Sequence, residues 1–282
     1  MILRCALRQL DLSEPVVMGV LNVTPDSFSD GGRFATLELS VLAARQMVEQ
    51  GAAIIDIGGE STRPGAHAVS LGDELARTMP VIDALRELPV VLSIDTSKPE
   101  VMHAALERGV GMVNDVRALR EPGALAAVAG SNAAVCLMHM LGEPRSMQQA
   151  PSYAHVVSEV RAFLAERAQA CIAAGIDAAR IAIDPGFGFG KTVDHNLQLL
   201  AELQSLESLG YPLLVGLSRK SMIGTLTGRP PGERLAASLA LALLAVERGA
   251  RIVRAHDVAA TVDVLRVRAA LRRQTEPTRE SP

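Results

Sequence analysis

Polar side chains capable of chemistry recur along this chain, each at the end of a short apolar run. They are carboxylates, amides and imidazoles, together with one arginine: Asn22, Asp56, Asp95, Asn114, Asp115, His139, Asp184, Arg254 and His256. Carboxylate and amide oxygens accept hydrogen bonds, and a carboxylate can accept two parallel N–H bonds from one ligand edge. The acceptors Asp95, Asn114 and Asp184 therefore predict a site for an amide-rich heterocycle with a guanidine-like edge.

Cationic side chains occur at the same kind of position and suggest a second part of the ligand. The cationic set is Arg63, Arg219, Lys220, Arg254 and His256. Guanidinium and ammonium groups bind anions such as phosphate. Amide oxygens such as that of Asn22 suit Mg²⁺, which prefers oxygen ligands beside substrate phosphates. Together these residues predict a heterocycle joined to an anionic leaving group.

The elements that must position these residues form a repeating pattern of eight strand-type runs, each followed by a helical segment. Continuous apolar strands separated by helices indicate a parallel sheet buried on both faces. Eight such units are the number that closes a (β/α)₈ TIM barrel, whose active sites lie at the carboxyl ends of the strands. A doubly wound open sheet is the alternative, but its usual Gly-rich first turn is absent. The runs span residues 16–22, 52–58, 89–95, 110–115, 133–139, 180–184, 212–218 and 250–256.

Two connections on the predicted catalytic face are unusually long. The segments 23–34 and 59–72 follow the first and second strands, where about 2–6 residues are typical. Their Gly, Pro, Ser and Asp content predicts turns. Long loops on this face commonly bind or cover ligands, although a purely structural insertion is the alternative.

Composition excludes several classes of protein. With 28 Lys+Arg against 31 Asp+Glu among 282 residues, the net charge is -3 and no basic stripe is present. Only 2% of residues are aromatic. We therefore expect neither a nucleic-acid nor a membrane partner. Three distant cysteines without a CxxC pair argue against a disulfide framework and a cysteine zinc site. With no signal peptide in its first residues, the protein is expected to be cytoplasmic.

Domain organisation is expected to be simple. No Pro- or Ser-rich linker divides the chain, which predicts one domain over residues 1–272. Residues 273–282 are polar with two prolines and are expected to be disordered.

The segment 185–192 resembles a phosphate-binding loop, but that motif would need Gly where Pro185 stands. His139 could line the barrel mouth or only pack there, so it is left outside the predicted site.

The seventh helix predicts an assembly. Over 233–250 it is apolar on almost every side, whereas an outer barrel helix should be polar on its solvent face. A second copy packed on this helix and the neighbouring late helices would cover it, as in the closed dimers that are common among soluble proteins. Cover by a neighbouring helix or the C-terminal segment is the alternative. The apolar positions include Leu235, Leu239, Leu241, Leu243, Leu244 and Val246.

Eight segments of the chain, between about Val17 and Arg266, resemble the dihydropteroate synthase family in the family's own order. They are VMGVLNVTPDSFSDGG (17–32), GAAIIDIGGESTRPGA (51–66), SIDTSKPEV (93–101), VNDV (113–116), CLMHMLGEPRSMQ (136–148), DPGFGFGK (184–191), GLSRKSMIG (216–224) and RAHDV (254–258). The resemblance implies a (β/α)₈ transferase of folate biosynthesis. Such enzymes join 4-aminobenzoate to (7,8-dihydropterin-6-yl)methyl diphosphate, forming 7,8-dihydropteroate and diphosphate with Mg²⁺, and they are sulfonamide targets. A homodimer packed through its late helices is also implied.

The resemblance also implies roles for individual residues, with Asp95, Lys220 and Arg63 taking part in catalysis. The pterin would be held by Asp95, Asn114, Asp184, Lys220 and Arg254. The diphosphate would meet Thr62, Arg63, Arg254 and His256, and Mg²⁺ would bind Asn22. The 4-aminobenzoate and sulfonamide pocket would be formed by Phe28, Thr62, Pro64, Phe189 and Ser221.

The expected chemistry centres on the leaving group. An aryl amine is already nucleophilic, so an SN1-like path through a pterin-stabilised cation is the hypothesis, with concerted displacement as the alternative.

Two other functions are alternatives to the synthase reaction. A pterin-binding methyltransferase domain shares the barrel but would not need the Asn22 loop. A non-catalytic pterin-binding paralogue typically loses anion-binding residues, whereas Arg63, Lys220 and His256 are present here.

Overall fold

Eight parallel strands close into a barrel in the computed structural model, which describes residues 1–24, 32–61, 68–143 and 146–275. Each strand pairs with its neighbour in sequence, and β10 closes the ring against β3. The predicted (β/α)₈ barrel is confirmed. Its strands are β3 (Val16–Asn22), β4 (Ile54–Gly58), β5 (Val91–Asp95), β6 (Met112–Asp115), β7 (Ala134–Met138), β8 (Ile181–Asp184), β9 (Leu213–Val215) and β10 (Ala250–Ala255).

A short antiparallel hairpin precedes the barrel and was not predicted from the sequence. It consists of β1 (Ile2–Cys5) and β2 (Arg8–Asp11). Its buried Leu3 and Leu10 pack in one apolar cluster with barrel residues near the amino ends of the strands, such as Met18. Each strand has only four residues, so the alternation of apolar and polar side chains is too brief to stand out in the sequence. The hairpin covers the end of the barrel opposite the predicted site.

Helices connect successive strands and surround the barrel. Their apolar faces pack on strand residues in one large cluster that includes Ile55, Ile82, Val113, Leu164 and Leu199. The helices are α1 (Gly32–Glu49), α2 (Leu71–Leu85), α3 (Pro99–Glu107), α4 (Ala124–Ala129), α5 (Val156–Ala173), α6 (Val193–Ala201), α7 (Ser221–Thr227), α8 (Leu235–Val246) and α9 (Val258–Thr275). Within the described ranges, no helix is both long and apolar enough to cross a membrane.

Strand register places three polar residues and a glycine at one height. Asn22 on β3 pairs with Gly58 on β4, Gly58 pairs with Asp95 on β5, and Asp95 pairs with Asn114 on β6. Asp56 lies two residues before Gly58 and is therefore deeper in the barrel. The carboxyl ends of β3–β10 form the ring that we call the mouth of the barrel.

The late helices differ in detail from their predicted form. Helix α8 runs from Leu235 to Val246, and its Leu241 is buried, so Leu241 does not lie on the outer face. Leu235 and Leu244 are exposed instead. Helix α9 continues to Thr275, three residues past the predicted domain end at 272, and basic residues in its last turn favour a helix terminus there. The rest of the predicted tail, 276–282, lies outside the described residues.

Candidate active site

An arginine joins two carboxylates at the centre of the mouth. Arg254 on β10 donates from Nε to Asp56 Oδ2 and from Nη2 to Asp95 Oδ2, each at 2.7 Å. Asp56 is fully buried and Asp95 nearly so. A buried ion pair compensates the desolvation of its charges only when the geometry is good and further hydrogen bonds are made. The barrel end therefore holds a fixed charge network rather than independent side chains.

Asp56 accepts further hydrogen bonds from two neighbouring strands. Its Oδ1 accepts from Ser93 Oγ at 2.6 Å, and its Oδ2 also accepts from Asn114 Nδ2 at 3.0 Å. The sequence placed Asp56 at a strand end but did not assign it to the site. Its depth in the barrel, which depends on strand register, is what makes it the centre of this network.

Asp95 presents an acceptor that no described residue uses. Its buried Oδ1 has no hydrogen-bond partner in the part of the chain that the structure describes. Burial raises the pKa of this carboxyl, and the Arg254 guanidinium partly opposes that rise. An unpaired buried acceptor costs about 1–3 kcal/mol. A ligand N–H donor would recover that free energy, as the predicted pterin-binding role of Asp95 requires.

Asp184 is the last residue of β8, and the loop that follows it donates a hydrogen bond to its carboxylate. Its Oδ1 accepts from the Gly186 backbone N–H at 2.7 Å. Burial raises the pKa of Asp184 to about 6, with the Gly186 hydrogen bond and Lys220 opposing the rise. The carboxyl group is thus fixed in position and titrates close to neutrality.

The loop after Asp184 requires glycine at two positions. Gly186 has φ +69°, and a Cβ there would lie 1.9 Å from the His139 carbonyl oxygen. Gly190 has φ +63°, and a Cβ there would lie 2.3 Å from the Leu141 carbonyl oxygen. The backbone of this loop therefore packs directly on the chain that follows β7, which explains the glycines without any phosphate-loop function.

A buried lysine anchors the same loop and was not singled out in the sequence. Lys191 Nζ donates to the carbonyl oxygens of Gly186 at 3.0 Å and Phe189 at 3.1 Å. Burial lowers the pKa of Lys191 to about 7, although Asp184 opposes the shift. Burial, and to a smaller extent the charge of Lys191, lower the pKa of His139 to about 3, so the imidazole is neutral. The ring of His139 packs edge-on against Phe163, which supports a packing role.

Lys220 and Phe189 connect the two predicted substrate pockets. Lys220 Nζ lies 4.2 Å from the centre of the Phe189 ring, within the range of a cation–π contact. Lys220 immediately precedes α7, which begins at Ser221, an exposed residue. The residue expected at the pterin thus contacts a residue expected at the aminobenzoate.

His256 and Arg219 are oriented by neighbours at the last two strand ends. His256 Nδ1 lies 3.1 Å from Ser218 Oγ, which ties the loop after β10 to the loop after β9. Arg219 forms a two-point ion pair with Asp257, with Nε–Oδ2 at 3.0 Å and Nη2–Oδ1 at 2.5 Å. Asp257 therefore balances part of the positive charge that the sequence predicted at Arg219, and a role of Arg219 in anion binding stays a prediction.

Asn22, the predicted Mg²⁺ ligand, ends β3 at the height of Gly58 and Asp95. A Cβ at Gly58 would lie 3.8 Å from Asn22 Oδ1, so the missing side chain leaves space beside that oxygen. Among the described ranges there is no group of three or more His, Cys, Asp or Glu side chains suited to a metal. Mg²⁺ commonly keeps several waters and uses one or two protein oxygens with substrate phosphates. A single amide oxygen beside open space fits that mode.

Four predicted site residues, Phe28, Thr62, Arg63 and Pro64, lie outside the described residues. The chain just before the last three is braced by a network that the sequence did not reveal. Lys98 forms ion pairs with Glu60 and with the fully buried Glu74.

Comparison with known proteins identifies close relatives over most of the chain. The family described as "Pterin binding enzyme" matches residues 18–256. Dihydropteroate synthase of Escherichia coli (strain K12) is 52% identical over 259 residues, which cover 92% of each chain. Dihydropteroate synthase of Haemophilus influenzae is 51% identical, over 92% of this chain and 94% of the relative.

Solved structures agree in fold and in family. The Yersinia pestis dihydropteroate synthase in a sulfonamide drug complex is 48% identical with a TM-score of 0.92, over 97% of this chain and 100% of the other. The Xanthomonas albilineans enzyme with 4-aminobenzoic acid is 55% identical with a TM-score of 0.91, over 98% and 99%. The Burkholderia cenocepacia enzyme complexed with 7,8-dihydropteroate is 51% identical with a TM-score of 0.89, over 97% of both. This chain therefore belongs to the dihydropteroate synthase family of pterin-binding enzymes.

Proposed function

We propose that this chain condenses 4-aminobenzoate with (7,8-dihydropterin-6-yl)methyl diphosphate to give 7,8-dihydropteroate and diphosphate. The observation that carries the proposal is the set of buried acceptors at the mouth, above all the unpaired Oδ1 of Asp95. They match the amino and ring N–H donors of a pterin. Relatives at about half identity support the same reaction, since one solved structure is complexed with 7,8-dihydropteroate and another contains 4-aminobenzoic acid.

The pterin would lie in the mouth between three acceptors and two cations. Asp95, Asn114 and Asp184 would accept hydrogen bonds from its N–H groups, while Lys220 would donate to its ring. Arg254 would lie against the ring face, where its charge is balanced by Asp56 and Asp95. All of these side chains are fixed by strand ends or by a hydrogen-bonded loop, so little ordering is needed when the ligand binds.

The aminobenzoate would bind on the outer side of this pocket. Phe189 would contact the benzoate ring from the side opposite the Lys220 ammonium group, and Ser221 would bind the carboxylate. Phe28, Thr62 and Pro64, which complete the predicted pocket, remain sequence predictions. The contact between Lys220 and Phe189 supports this arrangement because it places a residue expected at the pterin beside a residue expected at the aminobenzoate.

Diphosphate would be bound beside the carboxyl ends of β3, β4 and β10. Thr62, Arg63, Arg254 and His256 would contact its oxygens, and Asn22 would hold Mg²⁺ beside it. When bound, Mg²⁺ supplies positive charge that stabilises the departing diphosphate. The donor set described above, one amide oxygen beside open space, is compatible with that ion.

The reaction would proceed through an SN1-like path. The bond between the exocyclic methylene carbon and the diphosphate oxygen breaks, and the electron-rich dihydropterin stabilises the resulting cation. The charges of Asp95 and Asp184 lie beside it. The amine nitrogen of 4-aminobenzoate then forms the new C–N bond and loses a proton to solvent. Heterolysis predicts that bridging oxygen-18 scrambles within the pterin diphosphate when 4-aminobenzoate is absent, and a concerted displacement predicts no scrambling.

The reaction itself can be tested by incubating the purified protein with the pterin diphosphate, Mg²⁺ and labelled 4-aminobenzoate. Labelled 7,8-dihydropteroate is the expected product. Binding of pterin without product would instead indicate a non-catalytic paralogue, and methyl transfer to a corrinoid would indicate the methyltransferase class.

The assembly proposed with this function is a two-fold homodimer through α8 and neighbouring helices. Leu235 and Leu244 on α8 and Val267 and Leu271 on α9 are exposed, and the two helices pack on each other. The exposure of four large apolar side chains on these two adjacent helices supports an interface between two copies of the chain there. A cytoplasmic location is also proposed, and it is supported by Cys5, Cys136 and Cys171, which are free thiols buried in the protein.

A further inference from the structure

The geometry points to Asp56 as the residue that positions the pterin-binding side chains and makes their pocket select a ligand edge rich in N–H donors. This inference rests on the proposed pterin site and deepens it. Asp56 does not belong to the ligand-contacting set, because it lies one level deeper than Asp95 and Asn114 in the strand register. It is fully buried. It would therefore act through its neighbours.

Among the described residues, the hydrogen bonds that Asp56 accepts all come from other strands of the barrel. Oδ1 accepts from Ser93 on β5, while Oδ2 accepts from Asn114 on β6 and from Arg254 on β10. One carboxylate thus connects two residues of the predicted pterin pocket that are 140 positions apart in the chain. A short carboxylate side chain is the group that can accept all three bonds at once.

The hydrogen bond to Asp56 fixes which end of the Asn114 amide is available. Its Nδ2 donates to Asp56 Oδ2 at 3.0 Å. An amide held in this way offers its carbonyl oxygen, rather than its NH₂ group, to a ligand. Without Asp56 the amide could rotate and offer a donor instead.

The bond to Arg254 has a parallel effect on Asp95. Because Nε is engaged by Asp56, the guanidinium reaches Asp95 through Nη2 alone and contacts only its Oδ2. Asp95 Oδ1 stays buried and has no partner among the residues described here. Released from Asp56, the planar guanidinium could bind both oxygens of Asp95, as arginine–carboxylate pairs commonly do. The acceptor meant for the ligand would then be occupied.

Because of these two effects, both side chains offer hydrogen-bond acceptors to the ligand. Asn114 and Asp95 both offer acceptors, beside the carboxylate of Asp184. A 2-amino heterocycle supplies matching donors, whereas its 2-oxo counterpart places an oxygen where a donor is needed. A site built to pair a donor rejects an analogue that lacks it, because its own buried groups are then left unpaired. Asp56 is thus a positioning residue that sets the selectivity.

The experiment compares Asp56→Asn, Asn114→Asp and the double variant with the unaltered protein. Calorimetry measures the affinity for 6-hydroxymethylpterin and for its 2-oxo counterpart, 6-hydroxymethyllumazine, and steady-state kinetics give KM for both substrates. Asp115→Asn is the matched control, since Asp115 is also fully buried but accepts from Ser97 and from backbone N–H groups of Arg117 and Leu119.

Asp56→Asn is expected to weaken pterin binding by about tenfold or more and to reduce the preference for the pterin over its 2-oxo counterpart. The KM for 4-aminobenzoate should change by less than about twofold. Asn114→Asp places two carboxylates where one hydrogen bond stood, so its affinity also falls. The double variant exchanges donor and acceptor across the same contact and is expected to bind the pterin more tightly than Asn114→Asp alone. Asp115→Asn should retain the affinity and preference of the unaltered protein.

Four results would overturn the inference. The first two are an unchanged pterin preference in Asp56→Asn and equal losses for both substrates in that variant. The other two are an equal loss in the Asp115→Asn control and single-variant losses that simply multiply in the double variant. If Asp56→Asn does not fold, the inference is still tested by the affinities of the unaltered protein for the two heterocycles. Equal affinities would contradict a pocket lined by acceptors. Failure of the proposed function is distinguishable, since the unaltered protein would then bind no pterin and form no product.

Discussion

The ammonium nitrogen of Lys191 lies 2.9 Å from Nδ1 of His139, with both side chains buried behind the loop that follows β8. Through the carbonyl oxygens of Gly186 and Phe189, Lys191 also fixes that loop from within. The loop begins at Asp184 and carries Phe189, which are expected at the pterin and the aminobenzoate respectively. The Lys191–His139 pair therefore supports the loop that contributes a residue to each of the two predicted pockets.

Lys191→Met is expected to lower the free energy of unfolding by about 1–3 kcal/mol, because the buried carbonyl oxygens of Gly186 and His139 and the part-buried one of Phe189 lose a donor. Loosening of the loop should also raise KM for both substrates. Urea unfolding and steady-state kinetics measure these effects. Arg86→Met, at an exposed position, is the control and should behave as the unaltered protein. Unchanged stability in Lys191→Met would show that the lysine does not hold the loop.

Asp184→Ala is expected to weaken pterin binding by about 1–3 kcal/mol or more, because the ligand's N–H donors lose their acceptor. Calorimetry with the pterin measures the change. Asp263→Ala, which removes an exposed carboxylate on α9, should bind the pterin normally. Full affinity in Asp184→Ala would exclude this residue from the pterin pocket.

Stability should depend on pH through the same carboxyl group. Burial raises the pKa of Asp184 to about 6, above the value near 3.9 of an unfolded chain. The folded protein therefore holds more protons than the unfolded chain between those two values. The resulting stabilisation is complete below about pH 4 and is lost as the pH rises through about 6.

Asp184→Asn should flatten this dependence in the ligand-free protein, because an amide does not titrate. Urea unfolding across that pH range gives the slope for both proteins. An identical slope would mean that the pKa of Asp184 is not raised in the folded state.

Leu244→Glu is expected to convert a dimer into a monomer, since it places a charge on the exposed apolar face of α8. Leu42→Glu on α1 is the matched control, because Leu42 is 53% exposed and Leu244 is 43% exposed. Light scattering at micromolar concentration measures the mass. A monomeric mass for the unaltered protein, or a dimer that persists in Leu244→Glu, would contradict the proposed interface.

The arrangement of strands was predictable because each strand has a dense apolar run, and most of these runs end in a polar residue. Asp95, Asn114 and Asp184 occupy the strand ends where the pattern placed them, since parallel strands in a barrel bring equivalent ends together. The hairpin Ile2–Cys5 and Arg8–Asp11 was missed because its strands are too short for a periodic signal.

Other features depend on tertiary contacts that a single sequence does not encode locally. Lys191 follows a glycine-rich segment and carries no sign in the sequence that its ammonium group is buried. Leu241 and Leu244 are alike in type and neighbourhood, yet only packing against the barrel decides that the first is buried. Asp56 gains its role from strand register, which pairs it across the sheet with Ser93.

The barrel mouth is proposed to transfer a pterinylmethyl group from diphosphate to an aryl amine. The most direct measurement follows diphosphate and 7,8-dihydropteroate together over time, with both substrates and Mg²⁺ present. One diphosphate should be released for each dihydropteroate formed, and both rates should fall together in Asp184→Ala. Release of diphosphate without dihydropteroate, or no release at all, would contradict it.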